Sequence, residues 1–169
     1  YNVARIKNEE EANNVMAKIE GATSARVMGI EKKKRTLGAP QPFNTTSLMA
    51  AASAEGITPG RCMRMAESLY MDGYISYPRV DNTVYPSTLD LASVVHQLEK
   101  NPAYAPYCKK LLSAGKLHAT RGKKETTDHP PIYPTAGATP DDLNPSEYKL
   151  YNLIARRFLA TLSQAAVVE

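Results

Sequence analysis

The sequence predicts a mainly helical domain preceded by a small portion that mixes helix and strand. Apolar residues recur at three- and four-residue spacing in several segments, which is the period of one helix face. Two such segments in the first half of the chain are followed at once by a short aromatic and β-branched run. With 169 residues, 43% of them apolar, the chain is long enough to bury one core without disulfide support.

The first forty residues predict the mixed portion. Residues 9–20 have the pattern of an amphipathic helix that Gly21 ends. Its apolar stripe consists of Ala12, Val15, Met16 and Ile19. Residues 24–36 mix apolar and charged side chains and are predicted to be extended. Residues 38–42 contain two prolines, which prevent regular pairing, so we place a domain boundary there.

A helix-turn-helix is predicted after this boundary. Thr45 or Thr46 caps the first helix, which ends before Gly56, and Pro59 suits the first turn of the second helix. The second helix is expected to bury Cys62, Met65, Ala66, Leu69 and Tyr70, and to leave Arg61, Arg64 and Glu67 outside this stripe.

A short strand is predicted directly after the helix pair. Gly73 ends the second helix, and residues 74–77 are aromatic or β-branched except for one serine. A helix-turn-helix followed by a strand is typical of winged-helix domains. The predicted fold class is therefore mainly α and winged-helix-like, with a small α+β portion at the N-terminal end.

The remainder of the chain predicts three more helices and a final strand. Residues 86–90 have the pattern of a capping box, residues 104–112 form a short helix, and residues 144–146 open the last helix. The expected core stripes are Leu91, Val94, Val95 and Leu98 in the first of these helices and Tyr151, Ile154, Phe158 and Leu162 in the last. Residues 113–134 are polar and without periodicity, which is typical of functional or mobile loops, and residues 165–169 are predicted to begin a strand.

Charge and cysteine content narrow the class of protein. The 21 Lys and Arg exceed the 17 Asp and Glu only slightly, but basic residues cluster at positions 32–35, 109–110 and 116–124. Such clusters can neutralise phosphates, although for each cluster taken alone a solvated loop is the better interpretation. Cys62 and Cys108 have no neighbouring Cys or spaced His, so neither a zinc site nor a secreted disulfide framework is indicated, and a reducing, cytoplasmic setting is expected.

The two ends of the chain suggest a piece of a longer protein. No apolar run approaches the length of a membrane span, so no membrane partner is expected. The first residues begin neither with Met nor with a signal-peptide pattern. We therefore expect an excised fragment.

The strongest candidate for chemistry is Tyr77. Pro78 favours an extended conformation at Tyr77, so Tyr77 and Arg79 are expected to project from the same face. A phenol has a pKa of about 10, and it becomes a nucleophile at neutral pH only when a neighbour stabilises phenolate or accepts its proton. A guanidinium can do the first and can also grip a phosphate. From this pair alone a half-buried aromatic beside a surface ion pair is the better interpretation, and Tyr74 is interpreted as a core residue.

Four motifs that occur in order along the chain favour the functional interpretation of Tyr77 and Arg79 instead. Residues 41–48 (QPFNTTSL), 61–70, 73–81 (GYISYPRVD) and 128–135 (DHPPIYPT) together resemble the ordered motif series of the type IA DNA topoisomerases. Residues 146–162, with their Arg-Arg-Phe sequence, also resemble the helix that follows the histidine motif in this family.

The resemblance implies a mechanism. The residue at the place of Tyr77 attacks a phosphodiester of single-stranded DNA, which gives a transient 5′-phosphotyrosyl link and a free 3′-hydroxyl. A second strand passes through the gap, and the hydroxyl then reverses the bond without ATP. Arg79 is expected to hold the scissile phosphate, and His129 to contact DNA near it. The basic residues Arg61, Arg64, Lys123 and Lys124 are further expected DNA contacts.

The resemblance also implies what lies outside this chain. The family binds magnesium in a separate acidic domain with an Asp-x-Asp arrangement, and this chain contains no such arrangement, because Asp141 and Asp142 are adjacent. We therefore expect the chain to bind no metal or cofactor and to be inactive alone, with single-stranded DNA and the remaining domains of the same polypeptide as its partners.

Domain limits and subfamily follow from the same comparison of motifs. Residues 1–40 are expected to belong to a neighbouring strand-rich gate domain, residues 41–164 to the helical winged-helix-like domain with the catalytic tyrosine, and residues 165–169 to a return strand. Pro78 and Asn82 stand where certain bacterial members carry Met and Ser, so the chain is more similar to archaeal or decatenating-type members.

Two alternatives without chemistry stay open at this point. One is a non-enzymatic winged-helix DNA-binding module in which residues 59–71 read a groove, although only Arg61 and Arg64 would then reach DNA. The other is a purely architectural interaction domain.

Overall fold

A computed structural model describes residues 5–169. The described chain contains helices α1 (Glu9–Ile19), α2 (Thr45–Ala54), α3 (Pro59–Met71), α4 (Leu91–Leu98), α5 (Ala105–Ser113) and α6 (Pro145–Thr161), and strands β1 (Arg35–Leu37) and β2 (Ala166–Val168). The predicted mainly helical class is thus confirmed. Among the described residues, no helix combines the length and apolar character needed to cross a bilayer.

The contacts divide the chain into two units, residues 1–34 with Glu169, and residues 35–168. In the first unit, α1 confirms the predicted helix: the Asn8 side chain accepts a hydrogen bond from the Glu11 N–H (2.8 Å), and Gly21 follows with φ 81°. No residue of α1 is buried. The assignment of residues 1–40 to a gate domain stays a prediction.

The second unit begins and ends in a two-stranded sheet. β1 and β2 pair antiparallel, with Arg35 opposite Val168 and Leu37 opposite Ala166. The predicted strand at the C-terminal end is therefore confirmed. Of the extended segment predicted for residues 24–36, only its last two residues, Arg35 and Thr36, belong to a strand.

The helix-turn-helix is present, but its cap differs from the prediction. Asn44, not Thr45 or Thr46, caps α2: its side chain accepts from the Ser47 N–H (2.9 Å), and the Ser47 hydroxyl accepts from the Asn44 N–H (3.0 Å). The Thr45 hydroxyl is unavailable as a cap because it bonds to the segment after Tyr77. Gly56, with φ 79°, forms the turn that leads to Pro59 at the start of α3.

The strand predicted for residues 74–77 is wrong. Only Ile75 forms a bridge, with Pro134, through backbone hydrogen bonds from Ser76 N–H to Tyr133 O (2.9 Å) and from Thr135 N–H to Tyr74 O (3.0 Å). The Ser76 side chain adds a bond to Pro131 O (3.1 Å) and accepts one from Tyr133 N–H (3.0 Å). The partner segment contains prolines, which have no N–H to extend a ladder. The wing expected after α3 is therefore reduced to a single bridge.

The core lies between α2, α3 and α6. Its largest fully buried side chains include Phe43, Leu48, Leu69, Tyr151, Ile154 and Phe158. Asn144 caps α6 by accepting from the Ser146 and Glu147 N–H groups (3.1 and 3.0 Å), and the predicted stripe of α6 is buried. One member predicted for the α3 stripe, Tyr70, is 41% exposed instead.

Helices α4 and α5 add buried side chains to this core. α5 confirms the short helix predicted for residues 104–112, and buries Cys108. α4 begins later than the predicted capping box, since its N-cap is Asp90, whose side chain accepts from the Ser93 N–H (3.0 Å). Both cysteines are free and buried.

Candidate active site

The Tyr77 side chain lies between two other rings. Tyr70, at the C-terminal end of α3, meets it edge to face with ring centroids 5.3 Å apart. His129, from the loop that follows α5, lies on it at 4.8 Å with the planes tilted by 49°. Two of the residues predicted from sequence, Tyr77 and His129, are thus in direct contact although 52 positions separate them (129 − 77).

Buried anchors on both sides hold the Tyr77 segment. Ile75 and Val80 are almost fully buried, and the residues between them cross the start of α2. There the Thr45 hydroxyl donates to Pro78 O (2.7 Å) and accepts from the Val80 N–H (2.8 Å), while the Thr45 N–H donates to Val80 O (2.9 Å). The backbone around Tyr77 is therefore fixed by one threonine, which was considered only as a cap at the level of sequence.

Arg79 is exposed and paired with a carboxylate. Its Nε donates to Glu67 Oε1 (2.8 Å), and its Nη2 contacts the same oxygen. Glu67 and Tyr70 are three residues apart on α3, so they are neighbours on the helix surface. Because Arg79 contacts the first and Tyr77 the second, both predicted catalytic side chains lie along the same edge of α3.

The His129 loop is attached to the residues just after Arg79. Asn82, which is 4% exposed, donates through Nδ2 to Thr126 O (2.8 Å) and His129 O (3.0 Å). Thr83 continues the attachment: its N–H donates to Lys124 O (2.8 Å), and its carbonyl accepts from the Gly122 N–H (2.9 Å). A polar loop that was predicted only to be functional or mobile is thus held by two adjacent residues, through the Asn82 side chain and the Thr83 backbone.

Gly122 has a steric reason to be glycine. A Cβ at this position would stand 2.2 Å from Thr83 Oγ1, which is closer than any side chain tolerates. Sequence reasoning missed Asn82 and Thr83 as site residues, since their burial depends on the fold. Gly122, inside a basic run where flexibility alone explains a glycine, carried no distinguishing signal either.

Carboxylates neutralise several cations around the site. Lys124 Nζ pairs with Asp81 Oδ2 (2.6 Å), which brings this predicted DNA contact next to the Tyr77 segment. Lys123 is exposed and has no hydrogen bond or ion pair in the described residues. Arg64 is exposed on α3, whereas Arg61 donates to Ser146 Oγ of α6 (2.6 Å) and so also joins two helices.

Electrostatic effects on the loop come from local hydrogen bonds. The Thr126 hydroxyl donates to Asp128 Oδ1 (2.5 Å), and this bond, with the His129 backbone N–H, holds the pKa of Asp128 below its ordinary value. The carboxylate next to His129 therefore stays negative at neutral pH. Behind the site, burial raises the pKa of the Tyr133 phenol, which keeps it neutral.

The residues present do not form a magnesium site. Within residues 5–169, no group of three or more His, Cys, Asp or Glu side chains is placed to hold a metal ion. The carboxylates of Glu67 and Asp81, which lie beside the Tyr77 segment, each form an ion pair with a cationic side chain of this chain. The described residues of this chain are therefore assigned no metal-binding role.

Fold and site together define a mainly helical protein in which a tyrosine contacts a histidine, beside a helix edge that also contacts an arginine. The family model described as DNA topoisomerase matches residues 2–169. Together with the relatives below, this match shows that the chain belongs to the type IA DNA topoisomerases.

Relatives occur in archaea and eukaryotes. DNA topoisomerase 1 of Archaeoglobus fulgidus is 43% identical over 163 residues, which cover 96% of this chain and 24% of the relative. DNA topoisomerase 1 of Thermoplasma acidophilum is also 43% identical, over 93% of this chain and 20% of the relative. Human DNA topoisomerase 3-beta-1 is 37% identical over 88% and 17%, respectively. The chain thus spans no more than a quarter of the length of these relatives.

A solved structure shares the fold. Full-length topoisomerase I from Thermotoga maritima covers 80% of this chain with a TM-score of 0.53 and 24% identity, and the match takes up 22% of that structure. The family membership sets aside the two alternatives without chemistry, the winged-helix regulator and the architectural domain. The Arg61 bond to Ser146 also leaves α3 short of free base-reading side chains.

Proposed function

We propose that this chain supplies the DNA-cleaving tyrosine of a type IA DNA topoisomerase, and that Tyr77 is that residue. The observation that carries the proposal is the contact of the Tyr77 ring with His129 (4.8 Å) on the edge of α3 that also holds Arg79. The proposed substrate is single-stranded DNA, which the resemblance to the type IA DNA topoisomerases implies. The relatives are named DNA topoisomerases, which supports DNA as the substrate.

The reaction is a reversible transesterification. The Tyr77 Oη forms a bond to phosphorus as its proton departs, and the bond from phosphorus to the 3′-oxygen breaks as that oxygen gains a proton. One phosphodiester is exchanged for another, so no ATP is consumed. Reversal by the 3′-hydroxyl restores the strand after another strand has passed.

Arg79 is proposed to hold the phosphate under attack. A guanidinium has five N–H donors, and Glu67 occupies only two of the Arg79 nitrogens. The remaining donors can grip two phosphate oxygens side by side and neutralise charge that develops in the transition state.

His129 is proposed to act on the same phosphate. An imidazole in contact with the phenol is close enough to donate a hydrogen bond to an oxygen of a phosphate under attack by Tyr77. Lys123, Lys124 and Arg64, with Arg61 at the far end of α3, would contact neighbouring phosphates. Such contacts release counterions, so we expect binding that weakens with salt.

The proposal extends to parts of the protein that this chain does not supply. Magnesium would be held by residues of an acidic domain elsewhere in the polypeptide, which together with the remaining domains is the proposed partner of this chain. The helix-turn-helix with its single bridge would be a reduced winged-helix-like element of residues 41–164. The free, buried cysteines support a reducing, cytoplasmic setting.

Covalent trapping tests the proposal. The chain is mixed with the purified acidic domain of the same enzyme, magnesium and end-labelled single-stranded DNA, and is then denatured. A labelled adduct is expected for the unchanged chain and for the control Tyr107→Phe, whose tyrosine is 63% exposed on α5, but not for Tyr77→Phe. An adduct that persists in Tyr77→Phe would show that another tyrosine is the nucleophile.

A further inference from the structure

We propose that Asn82 is the positioning residue that holds His129 against Tyr77; this inference rests on the proposed function of that pair. Asn82 makes three hydrogen bonds from a position that is 4% exposed. Its Nδ2 donates to Thr126 O and His129 O (2.8 and 3.0 Å), and its Oδ1 accepts from the Val84 N–H (2.9 Å).

These bonds match the donor and acceptor inventory of a primary amide. The two carbonyls on the loop can only accept, and the Val84 N–H can only donate. Asn offers two N–H donors and one oxygen acceptor at the required separation, whereas an Asp of the same shape would place a carboxylate against two carbonyl oxygens. A buried residue with such a complete set of bonds is costly to replace.

The imidazole of His129 has no other anchor of this kind. It is exposed, its ring contacts Tyr77, and no side-chain hydrogen bond to it occurs in the described part of the chain. Its place over the phenol is therefore set through its own backbone, and the bond at the His129 carbonyl comes from Asn82.

Thr83 extends the same attachment to the basic part of the loop. Its hydroxyl donates to Lys124 O (2.8 Å) and accepts from the Lys124 N–H (3.0 Å), and Lys124 in turn pairs with Asp81. Residues 81–84 thus bind the loop at several points just after the Tyr77 segment. Tyr77, His129 and Lys124 are consequently held in one attached cluster.

Proton NMR of the three histidine rings tests the positioning directly. In the unchanged chain the His129 signals are expected to be displaced by the ring current of Tyr77, unlike those of His96 and His118. The Asn82→Asp variant should lose most of that displacement, because the two loop carbonyls lose their donors. Asn82→Ser, which retains one donor and no buried charge, should lose part of it and provides the measurement if the Asp variant does not fold.

A matched buried asparagine provides the control. Asn101 is 2% exposed, and its Nδ2 donates to Ala138 O and Tyr148 Oη (2.7 and 3.1 Å) while its Oδ1 accepts from the Ala103 N–H (2.9 Å). Asn101→Asp removes the same kinds of bond away from Tyr77. It should lower stability and leave the His129 signals of the folded chain unchanged.

The outcomes separate this inference from the proposed function. Unchanged His129 signals in folded Asn82→Asp or Asn82→Ser, or an equal change in Asn101→Asp, would overturn the positioning role. These signals do not depend on catalysis, so a failed trapping experiment leaves them as an independent test. When both proposals hold, the trapping mixture with Asn82→Ser should give less adduct at saturating DNA while half-saturation of binding stays nearly unchanged.

Discussion

At the scale of single residues, two cationic side chains of the candidate site are held in exposed ion pairs. Arg79 is paired with Glu67 and Lys124 with Asp81, and all four side chains are more than 40% exposed. Exposed pairs contribute about 0–1 kcal/mol each, because solvent screens them. In the proposed function, a DNA phosphate would displace either carboxylate at little cost, because each ion pair is weak.

Replacing Glu67 tests this exchange. Glu67→Gln removes the charge that competes with phosphate for Arg79, so the affinity for a single-stranded oligonucleotide should rise by about twofold to fivefold at low salt, as expected from up to ~1 kcal/mol. Fluorescence anisotropy with a labelled oligonucleotide measures it. Glu55→Gln, which removes a carboxylate paired with Lys149 at the other end of α2, is the control and should change the affinity less. Equal gains in the two variants would mean that only net charge matters.

At the scale of elements, the start of α2 has two roles. Asn44 caps the helix, which leaves the Thr45 hydroxyl free to bind the backbone on both sides of Arg79. The pattern of capping, helix-ending and apolar residues was enough to locate α2, α3 and α6. It was not enough to choose between adjacent polar residues as the cap, because the choice depends on a segment more than thirty positions away.

Thr45→Val tests the second role of this element. The substitution keeps the side-chain shape and leaves Pro78 O and the Val80 N–H without their partner, so the free energy of unfolding should fall by about 1–3 kcal/mol. Thr46→Val is a matched control, since Thr46 is exposed on the same helix turn. Urea denaturation of both variants measures the difference. A loss in Thr46→Val as large as that in Thr45→Val would assign the effect to helix propensity instead.

The structure of the segment after α3 could not be predicted from its local sequence pattern. Residues 74–77 have strand-forming side chains, but their partner segment contains Pro130, Pro131 and Pro134, so a ladder cannot form. Tyr70 likewise continues the apolar stripe of α3 and yet is exposed beside Tyr77. In both cases the outcome is decided by residues distant in sequence, and the motif resemblance, not periodicity, identified the site.

At the scale of the whole molecule, several buried phenols make the stability of the second unit sensitive to alkali. Burial raises the pKa of Tyr85, Tyr104 and Tyr151 well above the ordinary value of a phenol. The neutral form is thus favoured in the folded state. Their stabilising contribution is complete below the unfolded pKa of about 10 and is lost as the pH rises from there through the folded values.

An alkaline titration tests this account. Absorbance at the phenolate band should show that the buried tyrosines Tyr85, Tyr104 and Tyr151 ionise only together with unfolding seen by circular dichroism. Tyr85→Phe should weaken this coupling, since it removes one buried group that must ionise. Titration of all ten tyrosines in one step without unfolding would contradict the burial described here.

Only part of the candidate site could be predicted from the sequence. Tyr77, Arg79 and His129 follow from the ordered motifs, whereas Asn82, Thr83 and Gly122 become recognisable only when the loop is seen to pack along residues 81–84. The chain spans at most a quarter of the length of the relatives described above.

The most direct measurement is mass spectrometry of the trapped adduct. Cleavage after Arg64 and Arg79 releases residues 65–79, a peptide with three tyrosines, Tyr70, Tyr74 and Tyr77, so fragmentation can identify which one carries the nucleotide. The account predicts a 5′-phosphotyrosyl nucleotide on Tyr77 alone. A nucleotide on Tyr70, Tyr74 or a tyrosine outside this peptide would contradict it.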